Sequence, residues 1–295
     1  MSVPVIAVGC MRIKSIEKSD AAKFINTSLE AGANFFDHAD IYGGGACEEF
    51  FSDAINMSSA AREKMIIQTK CGIRKGMFDF SKEHILNSVD GSLKRLKTEY
   101  IDILLLHRPD ALVEPEEVAE AFDILKANEK VRYFGVSNQK PMQIELLKKY
   151  LNQPITANQL QLSITNLSMI SNGINVNMEN DSAIDRDGSV LDYCRLNNIT
   201  IQPWSPFQYG FFKGVYLDNA DFPELNKKIN EIAGKYNVTN NTIVIAWILR
   251  HPAKMQPVTG TMNLTRITDI FKASDIELTR QEWYEIYRSA GNILP

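Results

Sequence analysis

Three successive apolar runs each end in a residue that can carry or steer a proton. Phe35-Phe36-Asp37-His38-Ala39 ends near an acid and leads to Tyr42 in a glycine-rich turn, Gln68-Thr69-Lys70 ends in an amine, and Leu106-His107-Arg108-Pro109 carries an imidazole. A free phenol titrates near ~10, so at neutral pH it holds its proton but gives it up reluctantly. A neighbouring ammonium stabilises the phenolate, and a carboxylate beside that ammonium keeps it charged and fixed. On this logic Tyr42 is a general acid, Lys70 lowers the cost of its proton transfer, and Asp37 holds Lys70. A neutral His107 then donates a hydrogen bond to the same substrate oxygen, and positioned proton transfer contributes ~10²–10⁴ in rate. Taken singly, Asp37 could cap a turn, His107 could be a satisfied interior histidine and Tyr42 could be packing. Lys70 is harder to dismiss, because a buried ammonium needs a partner. The specific signal is that all four fall at one rim.

They share a rim only if the runs that carry them are parallel neighbours. Eight short runs rich in Val, Ile, Leu and Phe occur at residues 5–9, 34–39, 65–70, 101–107, 131–138, 156–163, 199–206 and 256–260. Between most of them lies helical periodicity, as in Ile85, Val89, Leu93 and Leu96, or Ile144, Leu147 and Leu151. Buried parallel strands read as continuous apolar runs, and Ile101-Asp102-Ile103-Leu104-Leu105-Leu106 fits that description. An open sheet that binds a dinucleotide would show GxGxxG after its first strand. Here the first run leads into Gly9-Cys10-Met11-Arg12, and Gly43-Gly44-Gly45 lacks the spacing. The expected fold is therefore α/β, a (β/α)8 TIM barrel forming a single domain over residues 1–295, with reactive groups at the carboxyl ends of its strands.

Composition agrees with one soluble globule. The chain has 295 residues, 44% hydrophobic and 23% charged, with 32 basic against 36 acidic side chains for a net charge of −4. That balance offers no global field to gather nucleic acid or an acidic membrane. The longest strictly apolar run, residues 243–249, is far short of the ~20 a membrane span requires, and the first residues lack the pattern of a signal peptide. Cys10, Cys47, Cys71 and Cys194 form no CxxC pair and suit a reducing cytoplasm. Two stretches depart from the simplest barrel. Residues 166–187 are polar, Asn-rich and expected to be a surface excursion, and residues 207–217, rich in aromatics and glycine, could cover a cofactor. Helical patterns follow at Pro223–Tyr236 and Asn240–Leu249.

Across essentially its whole length the chain resembles the aldo-keto reductases. The matching stretches are Phe36-Asp37-His38-Ala39-Asp40-Ile41-Tyr42-Gly43, Gln68-Thr69-Lys70, the segment from Tyr100 to Pro109, Gly135-Val136-Ser137-Asn138 and Asn158-Gln159. The resemblance implies a catalytic tetrad of Asp37, Tyr42, Lys70 and His107, and hydride transfer from NADPH to an aldehyde or ketone. It also implies that Ser137, Asn138 and Gln159 hold the nicotinamide carboxamide and that the Trp204 ring lies against the nicotinamide. Met11, Asp37 and Lys70 count among the implied cofactor contacts. Ser205, Pro206 and Phe207 continue toward the pyrophosphate, with Lys213 as an anion contact.

Gly260, Thr261 and Arg266 resemble the segment that holds the adenosine 2′-phosphate, which favours NADP over NAD. A guanidinium fork and a hydroxyl near a helix start suit a phosphate. Gly260 stands where many members carry a lysine; that replacement resembles the bacterial and potassium-channel β-subunit-like branches and removes one cation. The short hairpin that plugs the amino end of the barrel in many members is missing here, which could expose the floor or leave it to a partner.

Two readings of other classes stand beside the reductase. One is a nicotinamide-binding redox sensor or regulatory subunit with slow turnover. The other is a metal-dependent barrel hydrolase using His38, His107, Cys10 and Cys71, for which four histidines in all are too few ligands. No metal is expected. The partner implied is a small carbonyl compound against an apolar wall of Phe78, Trp204 and Phe207. Its size and the oligomeric state are not written in the sequence, because loops set specificity on this fold.

Overall fold

Continuous apolar runs need cover on both faces, and a closed barrel sheathed by helices supplies it. The computed structural model describes residues 2–294. Its barrel strands are β1 (Ala7–Gly9), β2 (Phe35–Asp37), β3 (Ile66–Cys71), β4 (Ile101–Leu106), β5 (Val131–Ser137), β6 (Ile155–Gln161), β7 (Thr200–Trp204) and β8 (Val258–Thr259). Each pairs in parallel with the next, and β8 closes on β1 through Ala7 opposite Val258 and Val8 opposite Thr259. The eight expected runs are these eight strands, in one barrel. Register brings Gln68 and Thr69 beside Ile103 and Leu104, and Lys70 beside Leu105, so the carboxyl ends of β3 and β4 sit side by side.

Inside the barrel Ala7, Phe35, Ile103, Leu105, Ala157 and Val258 pack together, while the larger cores lie between strands and helices. Close approach requires glycine at Gly135. A Cβ there would meet Leu105 Cδ2 at 2.6 Å and the Ala157 carbonyl oxygen at 2.7 Å. Helix boundaries follow local chemistry. Ser81 accepts from the His84 amide to start Lys82–Leu96, and Thr239 accepts from the Thr242 amide to start Asn240–Leu249. The latter helix is buried from Thr242 to Ile248, which accounts for its unbroken apolar run. Among the described residues no helix is long and apolar enough to cross a membrane.

The expected departures are there, with differences. The first half of the 166–187 segment is a helix, Ser168–Ile174, whose Met169, Ile170 and Ser171 are buried, with Ser171 Oγ 3.1 Å from Tyr287 Oη. Only the remainder is a surface excursion, because the apolar side chains of that first turn dock on the barrel while Val176 and Ile184 stay exposed. Residues 207–217 form a hairpin, Gln208–Tyr209 against Gly214–Val215. No hairpin precedes β1 among the described residues. Val3 instead packs against the inner barrel cluster, and the Pro4 carbonyl accepts from Gln256 Nε2 at 2.6 Å.

Candidate active site

The acid, the amine and the phenol meet at the mouth of β2 and β3. Lys70 Nζ lies 2.8 Å from both Asp37 carboxylate oxygens, 2.6 Å from the His38 carbonyl oxygen and 3.2 Å from Tyr42 Oη. Four oxygens thus share three ammonium protons. Tyr42 opens a 3-10 turn, Tyr42–Gly45, in which Gly43, Gly44 and Gly45 all have positive φ, so the chain curls back and delivers the phenol over Lys70. His107 follows β4 and stands edge-on to Tyr42, ring centroids 6.0 Å apart at 82°. The structure therefore brings all four sequence candidates together.

Electrostatics add burial to the expected effect of Lys70. Burial raises the Tyr42 phenol above its ordinary value. Lys70 opposes this, Asp37 adds to it, and the net effect is upward rather than downward. The phenol is thus a firmly loaded acid. Burial also works to strip Lys70, but Asp37 and Tyr42 outweigh it and hold the ammonium above its ordinary value. Burial, and then Lys70 and Arg108, push His107 down to about 2, so its ring is neutral at physiological pH, as the proton-relay logic requires.

Beneath this group runs a column of buried amides that the sequence reading did not find. Gln68 Nε2 donates to Asp37 Oδ1 at 2.6 Å and Gln159 Nε2 does so at 3.1 Å. Gln68 and Gln202 exchange hydrogen bonds at 2.9 and 3.1 Å, and Gln202 Nε2 reaches Gln256 Oε1 at 2.9 Å. Gln256 then donates to Pro4, so the Asp37 carboxylate is tied through the barrel axis to its amino end. Buried polar groups must be paired, and here they pair with each other.

A second network braces the tyrosine turn from outside. Glu48, wholly buried on the helix Ala46–Ala54, accepts from Thr69 Oγ1 at 2.6 Å and from Arg95 Nε at 2.8 Å. The Arg95 side chain crosses Gly45 so closely that a Cβ there would sit 2.9 Å from its Cδ. Asp40 is close by. Burial first and Glu48 second raise its carboxyl to about 6, and its Oδ1 has no partner among the described residues.

Above the tetrad opens a cavity of about 650 Å³. Of the residues expected to hold a cofactor, Met11, Asp37, Ser137, Asn138, Gln159, Trp204, Ser205, Pro206, Phe207, Gly260, Thr261 and Arg266 line it, with Tyr42 and His107. Asn138 and Ser205 end their strands with φ of 56° and 55°, a left-handed conformation that non-glycine residues seldom adopt outside constrained sites. Wholly buried Tyr216 donates to the Pro206 carbonyl at 2.9 Å and fixes that loop. Arg266 lies in the first turn of the helix Leu264–Phe271, capped by Asn263, and makes no salt bridge among the described residues.

Three candidates are placed differently. Lys70 acts from below, wholly buried beneath Asp37 and Tyr42 rather than on the cavity wall. Lys213 is exposed in the turn of the 207–217 hairpin and lays its alkyl chain over Gly210, while Phe212 and Val215 face the cavity. A glycine-flanked lysine in sequence carries no information about which face of a hairpin it takes. Phe78 is likewise off the wall, exposed on the short ribbon that pairs it with Ile73, and Ile73 lines the cavity instead. His38 turns away from the mouth, as alternation along a strand dictates after Asp37, and packs its ring 4.6 Å from that of Phe51. Among the described residues no group of three His, Cys, Asp or Glu is placed to hold a metal ion. Arg12, Arg108, Gln208 and Asn241 line the cavity without having been singled out. Adjacency to Met11 and His107 at strand ends was the available signal for the two arginines.

Comparison with known proteins gives the same outline. The aldo/keto reductase family model matches residues 5–290. An uncharacterized oxidoreductase, YcsN, of Bacillus subtilis is 35% identical over 293 residues, covering 95% of this chain and 91% of that protein. A 6-dehydroglucose reductase of Agrobacterium fabrum is 33% identical over 277 residues, covering 90% of this chain and 86% of its own. Among solved structures, an aldo-keto reductase from Klebsiella pneumoniae in complex with NADPH matches with a TM-score of 0.78, over 99% of this chain and 93% of that one. At 21% identity that likeness is one of fold.

Proposed function

Because the chain belongs to the aldo-keto reductase family, we propose that it is an NADPH-dependent carbonyl reductase with Tyr42 as its proton donor. The observation that carries this reading is the Lys70 ammonium held between Asp37 and the Tyr42 hydroxyl at the base of a cavity that His107 also lines. When bound, NADPH supplies the hydride that adds to the carbonyl carbon. The Tyr42 hydroxyl gives its proton to the carbonyl oxygen, so an aldehyde or ketone becomes an alcohol, and the phenolate left behind lies against Lys70. Neutral His107 donates a hydrogen bond to the same oxygen and fixes the face presented for attack.

The cavity suits the cofactor in size and in donor set. Arg266 and Thr261 hold the 2′-phosphate at a helix start. Ser205, Pro206, Phe207 and Gly260 follow the pyrophosphate, and Ser137, Asn138 and Gln159 address the carboxamide beside Trp204. Lys213 has no part in this arrangement. The substrate is a small molecule, and four buried free thiols accord with a reducing compartment such as the cytoplasm.

Steady-state oxidation of NADPH with a panel of small aldehydes tests the reading. Turnover on one or more is the expected result. Tight NADPH binding with no appreciable turnover on any carbonyl would instead support a cofactor-binding sensor.

A further inference from the structure

A charge beside the cavity's chemical groups has no ionic partner among the described residues. Arg108 follows His107 at the end of β4, lines the same cavity as Tyr42 and His107, and is half-buried there. No salt bridge and no hydrogen bond to its guanidinium is formed among the described residues. The acids around it are committed elsewhere. Asp37 is held by Lys70, and Asp110, two residues on, accepts from the Phe80 amide at 2.9 Å and the Leu112 amide at 2.8 Å. Lys70 is neutralised by Asp37 and His107 is uncharged, so Arg108, next in sequence to His107, is a positive charge beside the chemical groups still available to an anion, and Arg12 lies elsewhere on the same wall.

The guanidinium is also held in place. It sits 5.6 Å over the Trp204 ring, a cation–π distance. Trp204 in turn donates from Nε1 to Asn138 Oδ1 at 3.2 Å and stacks on Phe212 with centroids 5.9 Å apart. A partly desolvated guanidinium, fixed on an aromatic face and left without an acceptor, costs stability in the free protein unless something pairs with it. The arginine fork matches planar oxyanions in bidentate fashion. A single fork on an aromatic face suits a group of one negative charge better than a dianionic phosphate.

We propose that Arg108 anchors a carboxylate on the substrate, so that the enzyme reduces carboxylate-bearing aldehydes in preference to neutral ones of the same size. This rests on the reductase reading, but the site can be tested apart from turnover. In a binding experiment the full chain, loaded with NADP⁺, is titrated calorimetrically with butanoate and benzoate, with their amides, and with inorganic phosphate. Carboxylates should bind saturably and at least about tenfold tighter than the amides. Arg108→Gln should abolish that difference and Arg108→Lys should keep part of it, since charge remains but the fork is lost. Equal binding of acid and amide to the unaltered protein, unchanged carboxylate affinity in Arg108→Gln, or stronger binding of phosphate would each overturn the assignment. Thermal melts of both variants identify any loss that comes from misfolding.

In a kinetic experiment 4-oxobutanoate and 4-formylbenzoate are compared with their methyl esters. The acid-to-ester ratio of kcat/KM should exceed about tenfold and fall toward one in Arg108→Gln, through KM rather than kcat. Should no aldehyde turn over while carboxylate binding depends on Arg108, the reductase reading fails and the anion site stands. Should esters turn over as well as acids, the reductase reading stands and the anion site fails.

Discussion

Lys70 sets its ammonium 2.8 Å from each of the two Asp37 carboxylate oxygens, a symmetric contact wholly shielded from solvent. The two charges cancel, so the pair can be buried without a large field. A third interaction, to Tyr42 Oη at 3.2 Å, is then free to respond when the phenol loses its proton. A buried pair of this kind is weak support for stability and strong support for a task, because an apolar pair would fold as well.

Tyr42→Phe removes the hydroxyl and leaves the ring. Reduction should fall by at least ~10²–10⁴, while NADPH affinity, followed by cofactor fluorescence, stays within a few-fold of the unaltered protein. Retained turnover in that variant would reject the assigned role.

Arg266→Ala should weaken NADPH at least tenfold and NADH hardly at all, since a charge-assisted contact to the 2′-phosphate is worth roughly 1.5–3 kcal/mol. Parallel titrations with the two cofactors decide it. Equal losses would mean that Arg266 is a solvated helix charge.

Stability should fall on mild acidification. Burial, with Lys70 second, holds His38 near 3 and His107 near 2, against 6.5 when unfolded. The unfolded chain therefore takes up protons that the folded chain refuses, and the stability from these neutral rings, complete above pH 6.5, is lost as pH falls toward 3. Each ring contributes ~1.4 kcal/mol per pH unit in that window. Asp40, raised from 3.8 to about 6, acts the other way, because its burial penalty above pH 6 is relieved between 6 and 3.8. His251, which burial holds near 4, adds to the loss in the same window, so with three groups against one urea unfolding should show a net loss of about 2 kcal/mol or more between pH 7 and pH 5. His38→Leu should flatten the slope, and a slope equal to that of the unaltered protein would refute the account.

The outer brace can be separated from its charges. Arg95→Met leaves Glu48 wholly buried with Thr69 as its remaining partner and should cost about 3 kcal/mol. Changing both, Glu48→Met with Arg95→Met, should recover most of that loss. Denaturant melts of the single and double variants check it, and strictly additive losses would exclude the coupling.

What was legible in the sequence followed physical necessity. Asp37, Lys70 and His107 stood out because charged and titratable groups ending apolar runs need a purpose, and the helices Pro223–Tyr236 and Asn240–Leu249 were bounded by a proline at the first turn and a threonine cap. The rest depended on directions that one-dimensional patterns do not hold. Lys213 lies in the turn between two two-residue strands and Phe78 sits on another, where one step of register exchanges the inner and outer faces. Gln202 and Gln256 read as unremarkable polar residues, since only the closed barrel shows that their neighbours are other amides. The upward shift of the Tyr42 phenol needed the depth of its burial, which no spacing encodes.

The ladder of glutamines links the first residues of the chain to the carboxylate that holds Lys70. Because Gln256 grips the Pro4 carbonyl and hands its orientation upward through Gln202 and Gln68 to Asp37, a tag or fusion that twists Pro4 outward would be felt at the acid without touching the mouth. Engineers who graft new loops onto this scaffold therefore have two ends to respect, and the quieter one is the easier to damage unawares.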